Sequence, residues 1–497
     1  MTLKIALIAS EAVPWCKSGG LADVVGALPR ALQQASSEPV EVALFLPMYR
    51  QVRHYLARHG HQVTDTGLSL RIPFGHGHAE PIRLLHAYGH SGESVYFIDA
   101  PHRYDREGLY DDDAHRAFDD NAHRFALLCR AALEVAPRVM GGPPDVVHAH
   151  DWQGALATMY LRTRYAQVMP KARSVLTIHN LAYQGNFHSS LLGPLDIDPA
   201  LFHPEGVEWY GHLNLLKGGM AAADAVTTVS PTYAREVRTE RFGCGLDGFI
   251  RHNVPVIGIL NGIDTDAWNP ATDAHLPARY DADHLAGKDV CRDLLLEASG
   301  LRPGPGEPLL GVVSRFAGQK GMDLVADLVP HLHGLGARLV VLGDGDPALE
   351  DRFRYLSWVY SHHVAARIGF DPALSHRIIA GCDMLLMPSR FEPCGLTQLY
   401  AMRYGTIPVV HAVGGLRDTV VDPGDIGLAR GKGTGFRFEH PTAEGLHWAP
   451  ARAVRMYRDF PGGWRAIQHA GMRQDFSWAR SADSYLRVYR HLLGRPA

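Results

Sequence analysis

Short apolar runs alternate along this chain with longer segments in which apolar residues recur at helical spacing. The first half contains runs of strand type, namely 3-LKIALIAS-10, 40-VEVALFLP-47, 94-SVYFIDA-100, 145-DVVHAH-150, 174-SVLTIHN-180 and 225-AVTTVS-230. Helical segments such as 119-DDNAHRFALLCRAALEVAPRV-139 lie between several of them. This alternation predicts a parallel sheet that is covered by helices.

The alternation pauses at the glycine-rich segment 241-RFGCGLDGFIRHNVP-255 and then returns in the second half. The later apolar runs are 256-VIGILNG-262, 309-LLGVVSRF-316, 338-RLVVLGDGD-346, 365-AARIGF-370, 382-CDMLLMPS-389 and 407-IPVVHA-412. We therefore predict an α/β protein with two Rossmann-like, doubly wound parallel-sheet domains that face each other across a cleft. The predicted domains are residues 1–245 and 246–476, and two facing sheets of this kind can hold a donor on one and an acceptor on the other. Residues 477–497 contain a predicted amphipathic helix that packs back on the first domain.

Composition narrows the class of protein. The 497 residues carry a formal net charge of -3, which gives no electrostatic reason to expect nucleic-acid binding. No apolar run reaches the roughly 18 residues that a membrane span needs, and Glu11 interrupts the only stretch similar to a signal peptide. The six cysteines are irregularly spaced, which is typical of a reducing compartment. We expect a cytoplasmic protein that binds neither nucleic acid nor membrane.

Polar residues follow several predicted strands, where ligands of open α/β sheets bind. Lys17-Ser18-Gly19-Gly20 comes after the first strand. It is not a Walker A loop, because its lysine precedes the glycines, and the first turn also lacks the GxGxxG of dehydrogenases. The paired glycines allow a sharp turn and a close approach to a ligand. A flexible surface lysine is the alternative interpretation of Lys17.

Two cations in the second half suit a pyrophosphate. Arg315 and Lys320 lie in a glycine-containing loop after a buried strand, and the alternative is a pair of solvated cations. Glu392 precedes a helix that we expect to begin near Gly395. Its carboxylate could accept sugar hydroxyls or simply cap that helix.

Histidines end two strands of the first half. His148, His150 and Asp151 could be read as a metal site, but no third ligand at a familiar spacing follows. We therefore expect no metal. His179 by itself could be a strand-end histidine with ordinary hydrogen bonds.

Taken together, the motifs KSGGLADV, DVVHAHDW, TIHNLAYQG, GILNGID, SRFAGQKG and EPCGLTQ make the chain closely similar to bacterial glycogen synthases and the related starch synthases. The resemblance covers about residues 5–480. It implies the GT-B fold and retaining transfer of glucose from ADP-glucose to the non-reducing end of glycogen or another α-1,4-glucan. It also implies that no cofactor or metal is required.

The resemblance assigns roles by position. It places Arg315 and Lys320 at the donor diphosphate, Glu392 by the donor glucose and Phe370 at the adenine. The implied catalytic residues are Glu392, His179, Asp151, Lys320 and Arg315. The implied substrate-binding residues are Lys17, Gly19, Gly20, Asp23, Asn261, Phe370, Cys394, Gly395, Leu396, Gly414 and Gly415.

Several departures and alternatives accompany the resemblance. Ser18 replaces the usual threonine, Phe370 stands where tyrosine is common, and Cys291-Arg292 replaces an Asn-Lys pair. Tyr400 lies eight residues after Glu392, where other GT-B families often carry a second glutamate, so we favour front-face substitution assisted by the leaving phosphate. The alternatives are a GT-B glucosyltransferase with another nucleotide or acceptor such as glucose 1-phosphate, a non-catalytic glucan- or nucleotide-binding protein, and a dehydrogenase.

Overall fold

The computed structural model describes residues 2–89, 92–112, 116–424 and 433–495. The chain forms two compact units, the first comprising Met1–Gly262 with Trp478–Ala497 and the second Ile263–Ser477. The first unit therefore extends beyond residue 245, where we expected its end. The physical reason is that the strand Val256–Gly258 pairs with Ala225–Thr228 and continues the first sheet.

The first unit is built on a nine-stranded sheet. Its strands, with those of a small three-stranded sheet, are β1 (Leu3–Ile8), β2 (Val40–Pro47), β3 (Thr64–Pro73), β4 (Ala79–Tyr88), β5 (Ser94–Asp99), β6 (Val146–His150), β7 (Arg173–Ile178), β8 (Asn186–His188), β9 (Glu208–Trp209), β10 (His212–Asn214), β11 (Ala225–Thr228) and β12 (Val256–Gly258). The large sheet has the order β12-β11-β7-β6-β1-β2-β5-β4-β3, and β8-β10-β9 form the small one. The large sheet is parallel except for the antiparallel strands β3 and β4 at one edge.

Helices cover this sheet and contribute much of its core. They are Gly20–Ala35, Arg50–His59, Pro101–Tyr104, Asn121–Val139, Asp151–Arg162, Leu215–Ala222, Pro231–Glu236, Asp247–Asn253 and Trp478–Leu492. The last of these buries Trp478, Tyr485 and Tyr489 in the core of the first unit. The C-terminal helix thus lies with the first unit although it follows the second along the chain.

The second unit has a six-stranded sheet in which every pair is parallel. Its strands are β13 (Leu309–Val313), β14 (Arg338–Gly343), β15 (Val364–Ile368), β16 (Met384–Met387), β17 (Ile407–His411) and β18 (Phe436–Phe438), in the order β15-β14-β13-β16-β17-β18. This is the Rossmann strand order, in which the direction of winding reverses between β13 and β16. The corresponding reversal in the first unit lies between β1 and β6.

The helices of the second unit are Ala286–Ser299, Met322–Leu328, Leu332–Leu335, Pro347–Val359, Pro372–Gly381, Thr397–Arg403, Gly414–Thr419, Ala443–Asp459 and Pro461–Met472. The predicted α/β class with two Rossmann-like units is confirmed. Within the described ranges, no helix is both long enough and apolar enough to cross a bilayer. The six cysteines form no disulfide bond in this part of the chain.

Candidate active site

The loop after β1 lies at the winding reversal of the first sheet, where a ligand site is expected. Glu11 is buried there, and its carboxylate accepts hydrogen bonds from the backbone amides of Ser18 and Gly19. The Ser18 hydroxyl donates to the same carboxylate at 3.1 Å. Burial raises the pKa of Glu11, and the hydrogen bonds from Ser18 oppose that rise. Glu11 therefore holds the glycine loop at the start of helix Gly20–Ala35.

Lys17 is the predicted cation of this loop. Its Nζ lies 2.7 and 2.8 Å from the two carboxylate oxygens of Asp23, in the first turn of the following helix. Both side chains are partly exposed, so the pair is worth little to stability. The structure brings these two predicted residues together and leaves the lysine at the surface.

Asp151 and His179 also meet within the first unit. Asp151 begins the helix after β6 in a left-handed conformation with φ 53°, which is uncommon for a residue with a side chain. Its Oδ1 accepts the backbone amides of His179 at 2.7 Å and Asn180 at 3.4 Å. Burial raises the pKa of Asp151 to about 7 against these two hydrogen bonds, and nearby Glu11 adds a smaller upward effect. Asp151 thus ties the end of β6 to the end of β7.

The two strand-end histidines make protein contacts of their own. His148 Nδ1 lies 2.7 Å from the Tyr489 hydroxyl, and its Nε2 lies 2.6 Å from Thr177 Oγ1. His150 Nδ1 lies 3.0 Å from His179 Nε2. In the described residues, no group of three or more His, Cys, Asp or Glu side chains is arranged to hold a metal ion.

Asn261 lies near the end of the first unit. Its Oδ1 is buried and has no hydrogen-bond partner among the described residues. A buried amide oxygen without a donor is costly, by about 1–3 kcal/mol. The Asn261 Oδ1 can therefore accept a hydrogen bond from a ligand or a water molecule. That Asn261 contacts the donor substrate stays a prediction.

The second unit brings Lys320 and Glu392 into direct contact at its own winding reversal. Lys320 follows β13 and Glu392 follows β16, and Nζ lies 2.6 Å from Oε2. The Ser389 hydroxyl donates to the same Oε2 at 2.9 Å. Glu392 is almost fully buried, whereas about a fifth of the Lys320 side chain is exposed. A buried carboxylate is thus matched by a cation that still reaches solvent.

A second ion pair ties the two loops together. The Arg390 guanidinium pairs with Asp323 at 2.6 and 2.7 Å and also donates to the Gly318 carbonyl at 2.6 Å. Gly321 makes the loop turn with φ 66°, and a Cβ there would lie 2.3 Å from the Pro388 carbonyl oxygen. Only glycine fits that close approach, so the loop holding Lys320 is built against the loop holding Glu392.

The remaining predicted residues of the EPCG segment pack against a glycine turn. Gly415 donates its amide to the Glu392 carbonyl at 3.1 Å. A Cβ on Gly414 would lie 2.0 Å from that same oxygen, and one on Gly415 would lie 2.0 Å from the Cys394 carbonyl oxygen. Cys394 is buried, Gly395 has φ 71°, and Leu396 occupies the N-cap position of helix Thr397–Arg403 without a capping hydrogen bond from its side chain. The helix begins at Thr397, two residues after Gly395, and the prediction was a start near Gly395.

Two predicted donor-site residues project from the surface. Arg315 is exposed, and no described residue forms an ion pair or hydrogen bond with its guanidinium. Phe370 follows β15 and is 83% exposed, which is unusual for a phenylalanine. Both are available to a ligand, and their roles there stay predictions.

Sequence reasoning missed several supporting residues. In the sequence, Glu11 stands out only as a break in an apolar run, and His150 only as a possible metal ligand. Ser389 and Arg390 were not singled out at all. A buried acid directly after a strand, as in Glu11, was a usable signal, whereas the contacts of Ser389 and Arg390 depend on chain segments far apart.

Comparison with known proteins gives consistent matches over nearly the whole chain. The family model described as "Starch synthase catalytic domain" matches residues 4–252, and "Glycosyl transferases group 1" matches residues 299–456. A glycogen synthase of Anaeromyxobacter dehalogenans (strain 2CP-C) is 46% identical over 494 residues, covering 99% of this chain and 100% of that protein. One of Yersinia pseudotuberculosis is 44% identical over 496 residues, with 99% and 100% coverage.

Among solved structures, the catalytic domain of starch synthase IV from Arabidopsis thaliana, bound to ADP and acarbose, is similar with a TM-score of 0.89 and 34% identity. The match covers 100% of both chains. A sucrose-phosphate synthase from Thermosynechococcus elongatus has a TM-score of 0.59 at 19% identity, with 99% coverage of both, and shows a shared fold alone.

Proposed function

We propose that this chain, which belongs to the bacterial glycogen synthase and starch synthase family of glycosyltransferases, transfers glucose from ADP-glucose to the non-reducing end of an α-1,4-glucan. The anomeric configuration of the glucose is retained. The observation that carries the proposal is the Lys320–Glu392 pair at the winding reversal of the second sheet. Arg315 follows β13, as Lys320 does, and its guanidinium has no partner among the described residues. The plant relative was solved with ADP bound, which supports a nucleotide as part of the donor substrate.

The cations act on the leaving group. Departure of ADP builds negative charge on its diphosphate, and preplaced positive charges lower the barrier electrostatically. Arg315 offers a fork of donors that can grip a phosphate bidentately, and Lys320 adds a point charge. Because Arg315 has no ion-pair or hydrogen-bond partner for its guanidinium among the described residues, it can bind the diphosphate without giving up a contact seen there.

Glu392 acts on the sugar in this proposal. Positive charge develops on the glucose ring as the bond to phosphate breaks, and a nearby carboxylate stabilises it. One oxygen of Glu392 is held by the Lys320 ammonium and the Ser389 hydroxyl, which lowers its power as a nucleophile. Tyr400, at the position of a possible second acid, lies flat on the Trp268 ring at 3.7 Å. We therefore propose front-face substitution, and a glucosyl adduct on Glu392 found by mass spectrometry would refute it.

We propose that the reaction needs no metal or other cofactor. Two protein cations supply the positive charge that a divalent ion supplies to other nucleotide-dependent enzymes. Turnover in EDTA should equal turnover with added Mg²⁺. A strict requirement for Mg²⁺ would show that the cations are insufficient.

The donor assay tests the function itself. Purified protein is incubated with ADP-glucose or UDP-glucose, with glycogen present or absent, and incorporated glucose is measured. We expect incorporation from ADP-glucose that depends on glycogen. Faster incorporation from UDP-glucose, or transfer to glucose 1-phosphate instead of glycogen, would favour another GT-B glucosyltransferase. We further propose a cytoplasmic location, because the cysteine pattern suits a reducing compartment.

A further inference from the structure

Three histidine rings form a column beneath the ends of β6 and β7. The rings of His148 and His150 lie 4.2 Å apart, and those of His150 and His179 lie 5.2 Å apart. His148 and His150 are completely buried, whereas His179 is partly exposed. The column therefore begins in the core of the first unit and ends at His179, which is its solvent-accessible member and can contact a ligand.

The single polar contact between two rings of this column joins His150 Nδ1 to His179 Nε2 at 3.0 Å. One of these nitrogens must donate a proton and the other must accept it. Burial lowers the pKa of His179 to about 3 and that of His150 well below its usual value, so both rings are neutral near pH 7. Each ring then carries one proton, and the position of one proton determines the other.

The surroundings of His150 decide between the two arrangements. Its Nε2 is buried and has no hydrogen-bond partner among the described residues. If the His150 proton were on Nε2, a buried N–H would be left without an acceptor. If the proton is on Nδ1, only a lone pair is left unfilled, and proteins leave buried acceptors unfilled more readily than buried donors. The hydrogen bond then runs from His150 Nδ1–H to His179 Nε2.

We propose that His150 is a positioning residue that fixes His179 as the Nδ1–H tautomer and so presents an N–H donor to the ligand. Nδ1 is the nitrogen of His179 that remains available, since it makes no hydrogen bond to a described residue and is not among the buried unpartnered atoms. Asp151 supports the same arrangement by holding the His179 backbone amide at 2.7 Å. Side chain and main chain of His179 are thus fixed by two consecutive residues.

The chemical consequence concerns the kind of atom that His179 recognises. An Nδ1–H donor suits a neutral oxygen such as a sugar hydroxyl acting as acceptor, whereas a bare Nδ1 would suit a hydroxyl proton. That the ligand is a sugar rests on the proposed function. The tautomer itself does not, because it is a property of the protein without substrate.

The direct test is NMR of the full chain labelled with ¹⁵N-histidine, recorded without substrate. The His179 signals are assigned by their loss in His179→Gln. We expect the Nδ1 shift of His179 in the range of a protonated nitrogen and the Nε2 shift in the range of a lone-pair nitrogen. The opposite pattern, or two equally protonated nitrogens, would overturn the proposal even if the enzyme transfers glucose.

Variants at position 150 separate the hydrogen bond from packing. His150→Asn keeps an amide donor near the place of Nδ1, and His150→Leu removes it. We expect the Leu variant to move the His179 proton toward Nε2 and to lower kcat/KM about tenfold, as for loss of one good hydrogen bond. The Asn variant should restore both the tautomer and most of the activity.

Tyr489→Phe is the matched control, since it removes the hydroxyl bonded to His148 Nδ1 without touching His150. It should leave the His179 tautomer unchanged even if the melting temperature falls. Equal tautomer and activity in the wild type and His150→Leu would refute the positioning role. If the Leu variant does not fold, the wild-type spectrum and the Asn variant still decide the question.

Discussion

Removing Lys320 should affect both stability and catalysis, and the two effects can be separated. From the sequence, Lys320 is a loop cation that the fold does not need. In the structure its ammonium lies 2.6 Å from the carboxylate of Glu392, which is almost fully buried. Lys320→Ala leaves that carboxylate with the Ser389 hydroxyl and without a cation.

The expected loss of stability follows from this burial. Removing one partner of a fully buried ion pair costs about 3–5 kcal/mol. Because about a fifth of the Lys320 side chain is exposed, water can replace part of the lost interaction. We therefore expect Lys320→Ala to destabilise the second unit by about 2 kcal/mol, measured as a fall in the melting temperature of its transition.

A double-mutant cycle isolates the ion pair. Glu392→Gln keeps the shape of the side chain but carries no charge, so Lys320→Ala made in that background should cost well under about 1 kcal/mol. The coupling energy is the difference between the two costs. Equal costs in both backgrounds would show that the pair does not contribute to stability.

The effect on catalysis is measured by comparing the activity of the wild type and of Lys320→Ala at a temperature where both are folded. If Lys320 stabilises charge on the leaving diphosphate, kcat/KM for ADP-glucose should fall about 10²-fold or more. A loss of activity no larger than the loss of folded protein would refute the phosphate role.

Three further predictions test other parts of the site. The folded wild type should lose stability between about pH 4 and pH 7, because burial raises the pKa of Asp151 to about 7 and the folded chain then holds a proton that the unfolded chain releases. Asp151→Asn lacks this carboxyl, so its melting temperature should rise relative to that of the wild type over the same range. Gly415→Ala should lower the melting temperature, since its Cβ would lie 2.0 Å from the Cys394 carbonyl oxygen, whereas Gly462→Ala meets no atom within 4 Å and should not. Arg315→Ala should lower kcat/KM about 10²-fold with little change in melting temperature, because the side chain is exposed and has no partner among the described residues.

Hydrophobic periodicity predicted the buried parallel strands well, because strands such as Leu309–Val313 are apolar on both faces. It missed the antiparallel strands Thr64–Pro73 and Ala79–Tyr88. The first is the edge strand and is largely exposed, and the second alternates buried and more exposed positions instead of forming a continuous apolar run. It also placed the run at 256–262 in the second half, although Val256–Gly258 pairs with the first sheet. Strand pairing between distant segments is not encoded in local periodicity.

The rule that ligands bind beyond the carboxyl ends of strands located the loops of the candidate site. It predicted Lys320 and Glu392 on one sheet, but it could not predict that they pair with each other. The rule likewise predicted His179 as a site residue but not its contact with the His150 ring. These contacts depend on the side-chain directions at the ends of neighbouring strands, which only the folded chain determines.

Glucosyl transfer from ADP-glucose to a glucan leaves a defined product, and the linkage of that product is the decisive measurement. Labelled ADP-glucose is incubated with the purified chain and a short α-1,4-glucan, and the new bond is examined by NMR. We expect one additional glucose at the non-reducing end, in α-1,4 linkage, with one ADP released for each transfer. A β-linked product, or ADP release without elongation of the glucan, would contradict it.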